Sequence, residues 1–293
     1  MKRYTIVGIG ELLFDVFPDR KALGGAPTNF AFHCQQLGHE AISVSAIGRD
    51  TLGEEIKAEL QARQLPAILQ ETDYPTGTVQ VTLSATGSPT YEISEGVAWD
   101  HIAFTDELRA LAQRTDAVCF GSLAQRHEAS RTAILSFLKA MPEGSLRIFD
   151  INLRLQYYTR ETIHTSLEHA DILKLNDEEV PIIARLLGLE GDMEAVCRQV
   201  LSDYGLRAVI LTRGADGCSI YHEKGSVFHP SACIEVADTV GAGDSFTAGF
   251  VSALLAGRSH LEAVALATRV AAFVCCHHGA MPTLPSEYRV VEA

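Results

Sequence analysis

The sequence predicts an α/β protein built on a mostly parallel sheet with helices on both faces. Short apolar runs of strand length alternate with longer stretches of helical periodicity, which is the βαβ rhythm of a parallel sheet. Hydrophobic residues make up 47% of the 293 residues and charged residues 21%, enough apolar content for a large core and too much for disorder. One segment departs from the rhythm with strict two-residue alternation, which adds a hairpin to the parallel core.

Taken in order, Tyr4 to Gly10 is a β-rich run. Ala26 to Leu37 is helical, with Ala26, Phe30, Cys34 and Leu37 on one face. Ala41 to Ile47 reads as a strand. Leu52 to Arg63 reads as a helix, with Leu52, Ile56 and Leu60 in register. Four further apolar runs, Ala117 to Phe120, Leu146 to Phe149, Ile172 to Leu175 and Ala208 to Leu211, read as strands. The helical patterns His127 to Ala140, Thr159 to Ala170, Glu178 to Leu187 and Met193 to Tyr204 accompany them, joined by right-handed crossovers. The hairpin pairs Thr78 to Ser84 with Thr90 to Ser94 across a turn at Thr86-Gly87-Ser88-Pro89. An isolated hairpin is marginal in water, so it needs more strands or a covering partner. Leu12 to Leu23 can supply strands. The simplest arrangement is a small sheet standing off the main domain as a lid; an antiparallel edge of the main sheet is the alternative. With no repeat, low-complexity tract or linker, the chain reads as a single domain, 1–293, with lid segments near 12–24 and 76–98.

Lys and Arg number 24 against 37 Asp and Glu, a net charge of −13. This argues against general nucleic-acid binding, which needs a positive footprint. It leaves room for a small anion held by backbone dipoles. The seven cysteines form no C-x-x-C pair, and adjacent Cys275 and Cys276 are poorly placed for a disulfide. They read as reduced core residues. No apolar run reaches transmembrane length, and Glu11 and Asp15 break the N-terminal apolar stretch. The expectation is a soluble cytoplasmic protein that contacts neither membrane nor nucleic acid.

The most informative segment is Asp238-Thr239-Val240-Gly241-Ala242-Gly243-Asp244, just before a small-residue helical stretch, Thr247 to Leu255. Glycines ahead of a helix let backbone N–H groups converge on an anion, aided by the helix dipole. Asp244 among those donors reads equally as a helix cap or as a base that takes a proton from an attacking hydroxyl. Thr212-Arg213-Gly214-Ala215-Asp216-Gly217 after a strand reads as a tight turn or as a loop against a nucleotide. Asn176 and Glu179 have capping-box spacing, with a hydrated Mg²⁺ as the alternative. Gly24-Gly25-Ala26-Pro27-Thr28-Asn29, with Asp15 upstream, reads as a turn beside a solvated Asp or as donors and acceptors for sugar hydroxyls. Gly8-Ile9-Gly10 lacks the third glycine of a dinucleotide fingerprint, because Leu13 stands there. No Walker A or protein-kinase signature occurs. Cys275-Cys276-His277-His278 is too crowded for a tetrahedral zinc site and reads as core and helix terminus.

These residues resemble the ribokinase/PfkB carbohydrate kinases over nearly the whole chain, Thr5 to about Pro285. Gly24-Gly25 through Gly38 looks like the N-terminal signature and Asp238 through Gly249 like the C-terminal one. The Gly-Gly-Ala-Pro-x-Asn wording is similar to the bacterial fructokinase branch. So are Asp150-Ile151-Asn152-Leu153-Arg154, Lys174 through Glu179, and Val97-Ala98-Trp99-Asp100. The resemblance implies a three-layer α/β/α sandwich with a small β-lid over the sugar. It implies Asp244 as catalytic base and the N–H groups of Gly241, Ala242 and Gly243 as the anion hole. It places Asp15, Gly24, Gly25, Asn29 and Arg154 on the sugar side, and Asn176, Glu179, Thr212, Gly214 and Gly217 on the nucleotide side. Glu179 would address Mg²⁺ through water. Asp238, Val240, Gly279 and Thr283 match a monovalent-cation loop, with K⁺ the expected ion, although Val240 replaces the commoner threonine.

The resulting expectation is an ATP·Mg²⁺-dependent sugar kinase acting on a primary hydroxyl, D-fructose first. Kinases of 2-keto-3-deoxygluconate, ribose or a riboside are alternatives within the class, and a catalytically silent binding relative is the alternative outside it. Nucleotide-dependent oxidoreduction would rest on Gly8-Ile9-Gly10 alone. The alternating lid strands suggest a homodimer through the lid.

Overall fold

A computed structural model describes residues 2–83 and 89–291. The turn expected at Thr86-Gly87-Ser88 lies outside the described residues. The chain opens on β1 (Thr5–Ile9), passes through β2 (Leu13–Val16) and β3 (Lys21–Gly24), and enters helix α1 (Ala26–Gln36). β4 (Glu40–Gly48), α2 (Thr51–Ala62) and β5 (Ala67–Thr72) follow, then β6 (Gly77–Leu83) and β7 (Pro89–Ile93). Next come α3 (Asp106–Ala112), β8 (Ala117–Phe120), α4 (Glu128–Ala140), β9 (Leu146–Asp150), α5 (Arg160–Glu168), β10 (Ile172–Asn176) and α6 (Glu179–Leu187). The chain closes with α7 (Met193–Asp203), β11 (Ala208–Thr212), β12 (Cys218–His222), β13 (Gly225–His229), α8 (Ala242–Leu255) and α9 (His260–Cys275).

The main sheet has nine strands in the order β13-β12-β11-β10-β9-β8-β1-β4-β5. From β5 through β11 every neighbouring pair is parallel, and β12 and β13 add an antiparallel edge. The central strands are apolar at successive positions because both faces are covered. Ile6, Ile148, Ile172 and Ile210 pack on one face with Phe30 of α1, Ile56 of α2, Phe250 of α8 and Val264 of α9. Val7, Phe149, Leu173 and Val209 pack on the other with Leu108, Ile134, Ile163, Ile183 and Val196 of α3 to α7. That alternation is the three-layer α/β/α sandwich.

The remaining strands form a separate four-stranded sheet in the order β3-β2-β6-β7. β2–β3 and β6–β7 pair antiparallel and β2–β6 parallel, so the expected hairpin does recruit the 12–24 segment. Its buried apolar side chains include Phe14, Leu23, Val79, Val81 and Ile93, while Lys21, Gln80 and Glu92 are exposed. Its end is anchored to the body by Arg126, which donates to the Ser94 carbonyl at 2.6 Å and to both oxygens of Asp100 at 2.7 and 2.8 Å.

No described helix is long and apolar enough to cross a membrane. All the cysteines are unpaired. Cys34, Cys119, Cys197 and Cys218 are buried, whereas Cys233 and Cys276 are exposed, so the core reading holds for part of the set. α9 ends at Cys275, and among the described residues no cluster of His, Cys, Asp and Glu is arranged to hold a metal.

Candidate active site

The 238–244 segment builds the N-terminus of α8. Gly241 is the N-cap, in the left-handed region at φ 77°. A Cβ there would lie 2.7 Å from Cα, Cβ and the carbonyl oxygen of Ala280, so only glycine fits. Ala242 N–H donates to the Thr239 carbonyl at 3.2 Å, whereas Gly241 and Gly243 have no backbone acceptor among the described residues. Asp244 stands in the first turn, and no side chain caps this helix. The cap reading of Asp244 therefore gives way: its Oδ2 accepts a 2.8 Å hydrogen bond from Asn29 Nδ2 of α1. Burial, reinforced by the neighbouring Asp150 carboxylate, pushes the Asp244 pKa up to about 6 against the pull of Asn29, Lys174 and Arg154.

α1 begins where β3 leaves the small sheet, at Gly24-Gly25. Gly25 has φ 122°, and a side chain there would collide with the carbonyl of Glu11. The Asp15 carboxylate of β2 lies against Gly24, with Oδ2 2.6 Å from where a Cβ would stand. Burial raises Asp15 to about 6, opposed by Arg154. Asn29 donates to Asp244, but its Oδ1 is buried without a partner.

Glu11 was not singled out from the sequence as a site residue. It is 3% exposed, its Oε2 has no partner, and burial raises its pKa to about 7, with Asp244 raising it further and Arg154 opposing. The signal was an acidic residue inside the apolar run Ile9 to Phe14. The guanidinium of Arg154 thus acts on Glu11, Asp15 and Asp244 together. Arg154 is exposed and flanked by non-glycine residues in the left-handed region, Asn152 at φ 41° and Leu155 at φ 49°. Such strain persists where surrounding structure enforces it, often at functional loops.

Beneath Asp244 lies a buried network that sequence reading also missed as a unit. Asp150, at the end of β9, accepts from Lys174 Nζ at 2.9 Å and from Thr247 Oγ1 at 2.9 Å. Burial alone would lower the Lys174 ammonium, but Asp150, Glu179 and Asp244 outweigh it and raise its pKa. Lys174 Nζ is 3.0 Å from where a Cβ on Gly243 would stand, so a side chain there would crowd the ammonium.

On the other side of Lys174, the capping-box reading of Asn176 and Glu179 is realised. Glu179 N–H donates to Asn176 Oδ1 at 2.9 Å, and Asn176 N–H donates to Glu179 Oε2 at 2.8 Å. Glu179 Oε1 also accepts from Leu153 N–H at 2.8 Å, tying α6 to the Arg154 loop. Thr212 lies beside Asn176 in the sheet register. Gly214 and Gly217 follow in the tight turn before β12, where Arg213 N–H donates to the Gly217 carbonyl at 2.8 Å. Gly214 is open on its Cβ side and Gly217 packs on His229.

Three of the cation-loop residues meet. Asp238 accepts from Val240 N–H and from Gly279 N–H, both at 3.0 Å. Thr283 is exposed, and no hydrogen bond joins it to Asp238 among the described residues.

The sequence profile of the pfkB family carbohydrate kinases matches residues 10–287. An ATP-dependent 6-phosphofructokinase of Thermoanaerobacterium thermosaccharolyticum is 29% identical over 97% of this chain and 92% of its own length. Fructokinase-1 of Zea mays is 27% identical over 99% of this chain and 97% of its own. The crystal structure of a sugar kinase from Pyrococcus horikoshii superposes with a TM-score of 0.85 at 27% identity, covering 97% of this chain and 95% of that one. The P. horikoshii protein has also been solved in complex with ATP. With the ribokinase-like sandwich, the small sheet and the Asp244 seat in place, the chain belongs to the pfkB family of carbohydrate kinases, phosphotransferases that act on sugar hydroxyls.

Proposed function

We propose that this kinase transfers the γ-phosphoryl group of ATP to a primary hydroxyl of an uncharged sugar, D-fructose first, giving fructose 6-phosphate. The observation that carries the reading is Asp244: a buried carboxylate at the N-terminus of α8, held by Asn29, beside the unpartnered acceptors Asn29 Oδ1 and Glu11 Oε2. A sugar brings several hydroxyls to that point, so that one donates to Asp244 while others donate to acceptors that are otherwise costly to bury. Asp244 accepts the hydroxyl proton as the oxygen attacks in line. The N–H groups of Gly241 and Gly243, with weaker help from Ala242, take up charge on the phosphoryl oxygens. Asp15, Gly24, Gly25 and Arg154 orient the sugar. The small sheet, spanning the 12–24 and 76–98 segments of the single 1–293 domain, covers it and excludes water.

Asn176, Thr212, Gly214 and Gly217 form the nucleotide side. Mg²⁺, when bound with ATP, neutralises charge on the phosphates. Both Glu179 oxygens already accept backbone N–H groups, so Glu179 would hold the metal most readily through its water shell, which suits an ion that sheds its hydration reluctantly. A monovalent cation by Asp238 would draw its other ligands from backbone carbonyls near Val240 and Gly279, because no hydroxyl stands at 240.

Charge supports a neutral sugar. Glu11, Asp15 and Asp244 gather there with Arg154 acting on all three and Lys174 on Asp244, a lining richer in carboxyl groups than in cations, which favours an uncharged sugar over a sugar phosphate. Fructose 6-phosphate, suggested by the name of the Thermoanaerobacterium relative, is the competing reading. An ADP-release assay with fructose, fructose 6-phosphate, 2-keto-3-deoxygluconate, ribose and a riboside decides between them. The expected result is the highest kcat/KM on fructose. A higher value on fructose 6-phosphate overturns the neutral-sugar reading, and no turnover with any sugar makes the chain a binding relative.

A further inference from the structure

α1 reaches the site at two points one turn apart. Asn29 holds Asp244. His33, four residues on and therefore on the same helical face, is fully buried, and its Nε2 lies 2.8 Å from the carbonyl oxygen of Ala280. Facing a carbonyl, Nε2 carries the proton and donates. Burial holds the ring down at about 4, so it is neutral. Nδ1 is buried with no partner, a cost that an apolar side chain of the same size would avoid.

Ala280 is the residue against which Gly241 is packed, through its Cα, Cβ and that same carbonyl oxygen. The segment is fastened a second time by Asp238, which bonds both Val240 N–H and Gly279 N–H. α1 itself is fixed to the sheet by Thr28 Oγ1 and Ser43 Oγ, 2.7 Å apart. One rigid helix therefore touches the carboxylate of the site through Asn29 and the floor under its N–H groups through His33.

We propose that His33 is a positioning residue, which fixes the Ala280 carbonyl and so sets the backbone of 241–243 relative to Asp244. This rests on the reading of Asp244 as base and 241–243 as anion seat. A displacement of about 1 Å near reacting groups can cost on the order of a hundredfold in rate. Kinetics of the full-length variants His33→Leu, His33→Gln and His33→Asn test it, alongside melting curves and Asp244→Asn. Gln places an amide where Nε2 stands and can donate to Ala280. Leu cannot donate, and Asn is too short to reach.

The expected result is a kcat about 10- to 100-fold lower for Leu and Asn, with the sugar KM within about twofold of wild type. Gln should recover most of the loss. A purely structural role would instead lower the melting temperature and leave kcat of the folded enzyme unchanged. If Leu fails to fold, Asn against Gln carries the comparison. Folded Leu or Asn enzyme with wild-type kcat overturns the proposal, as does a folded Gln variant as slow as Asn. Near-normal turnover by Asp244→Asn would overturn the reading beneath it, a separate outcome.

Discussion

At the scale of single residues the site is a set of carboxyl groups kept out of water. Asp244→Asn removes the proton acceptor but keeps the shape and the contact to Asn29, so kcat should fall about 10²- to 10⁴-fold while the melting temperature holds. The pKa of about 6 at Asp244 makes a second prediction. The base must be ionised, and its raised pKa means ionisation is lost as pH falls through about 6. kcat/KM should therefore decline tenfold per pH unit below that point, since this ratio reports the free enzyme. Asp15 is raised to the same region, so Asp15→Asn is the control. That variant should weaken sugar binding yet keep the acid limb; a limb that disappears with it would reassign the titration to Asp15. Asp244 was legible in the sequence because two glycines and a helix pattern surround it. Glu11 and Asp150 were not legible as a site, since they reach Asp244 only through strands distant in the chain; Thr247, one turn further along the same helix, was not legible because its partner Asp150 comes from β9.

At the scale of elements, the N-terminus of α8 and the anchor of the small sheet carry the strongest constraints. Gly241→Ala puts a Cβ against Ala280 in a left-handed conformation, which costs about 1–2 kcal/mol before any clash. Urea unfolding should show at least that loss, and kcat should fall because the seat itself is displaced. Arg126 and Asp100 form a two-point ion pair with side chains 7% and 3% exposed. Removing one partner leaves a buried charge, so Arg126→Met should cost about 3–5 kcal/mol, and the double variant with Asp100→Leu should recover much of it. A single-variant loss below about 1 kcal/mol would show that the small sheet does not depend on this anchor. The parallel strands were legible because burial on both faces leaves them uniformly apolar. The hairpin was legible from its alternation. β5 and β13 were not: they are edge strands, Ala67–Thr72 and Gly225–His229, with mixed half-buried patterns. α9 escaped because it is apolar nearly all round, burying Ala263, Val264, Leu266, Ala267, Val270 and Val274, so no polar stripe marks its face.

Across the whole molecule the net charge of −13 and a phosphate-transferring site coexist without conflict. In the proposed reading the anion seat is made of backbone N–H groups and a helix end, while the carboxyl groups gather on the sugar side. The main sheet holds Asp150, Asn176 and Thr212 at the ends of neighbouring strands, with Lys174 inside β10, and the small sheet brings Asp15 against Gly24 and under the influence of Arg154 from a different part of the chain. That convergence is what the sequence alone leaves unstated, because it depends on strand order. The proposed reaction rests on Asp244 as the base for phosphoryl transfer to an uncharged sugar. The most direct measurement is ADP release with saturating ATP·Mg²⁺ and fructose, wild type and Asp244→Asn side by side, both verified as folded. The wild type should turn over, and the variant should do so at least about a hundredfold more slowly. Equal turnover by the two proteins would contradict it.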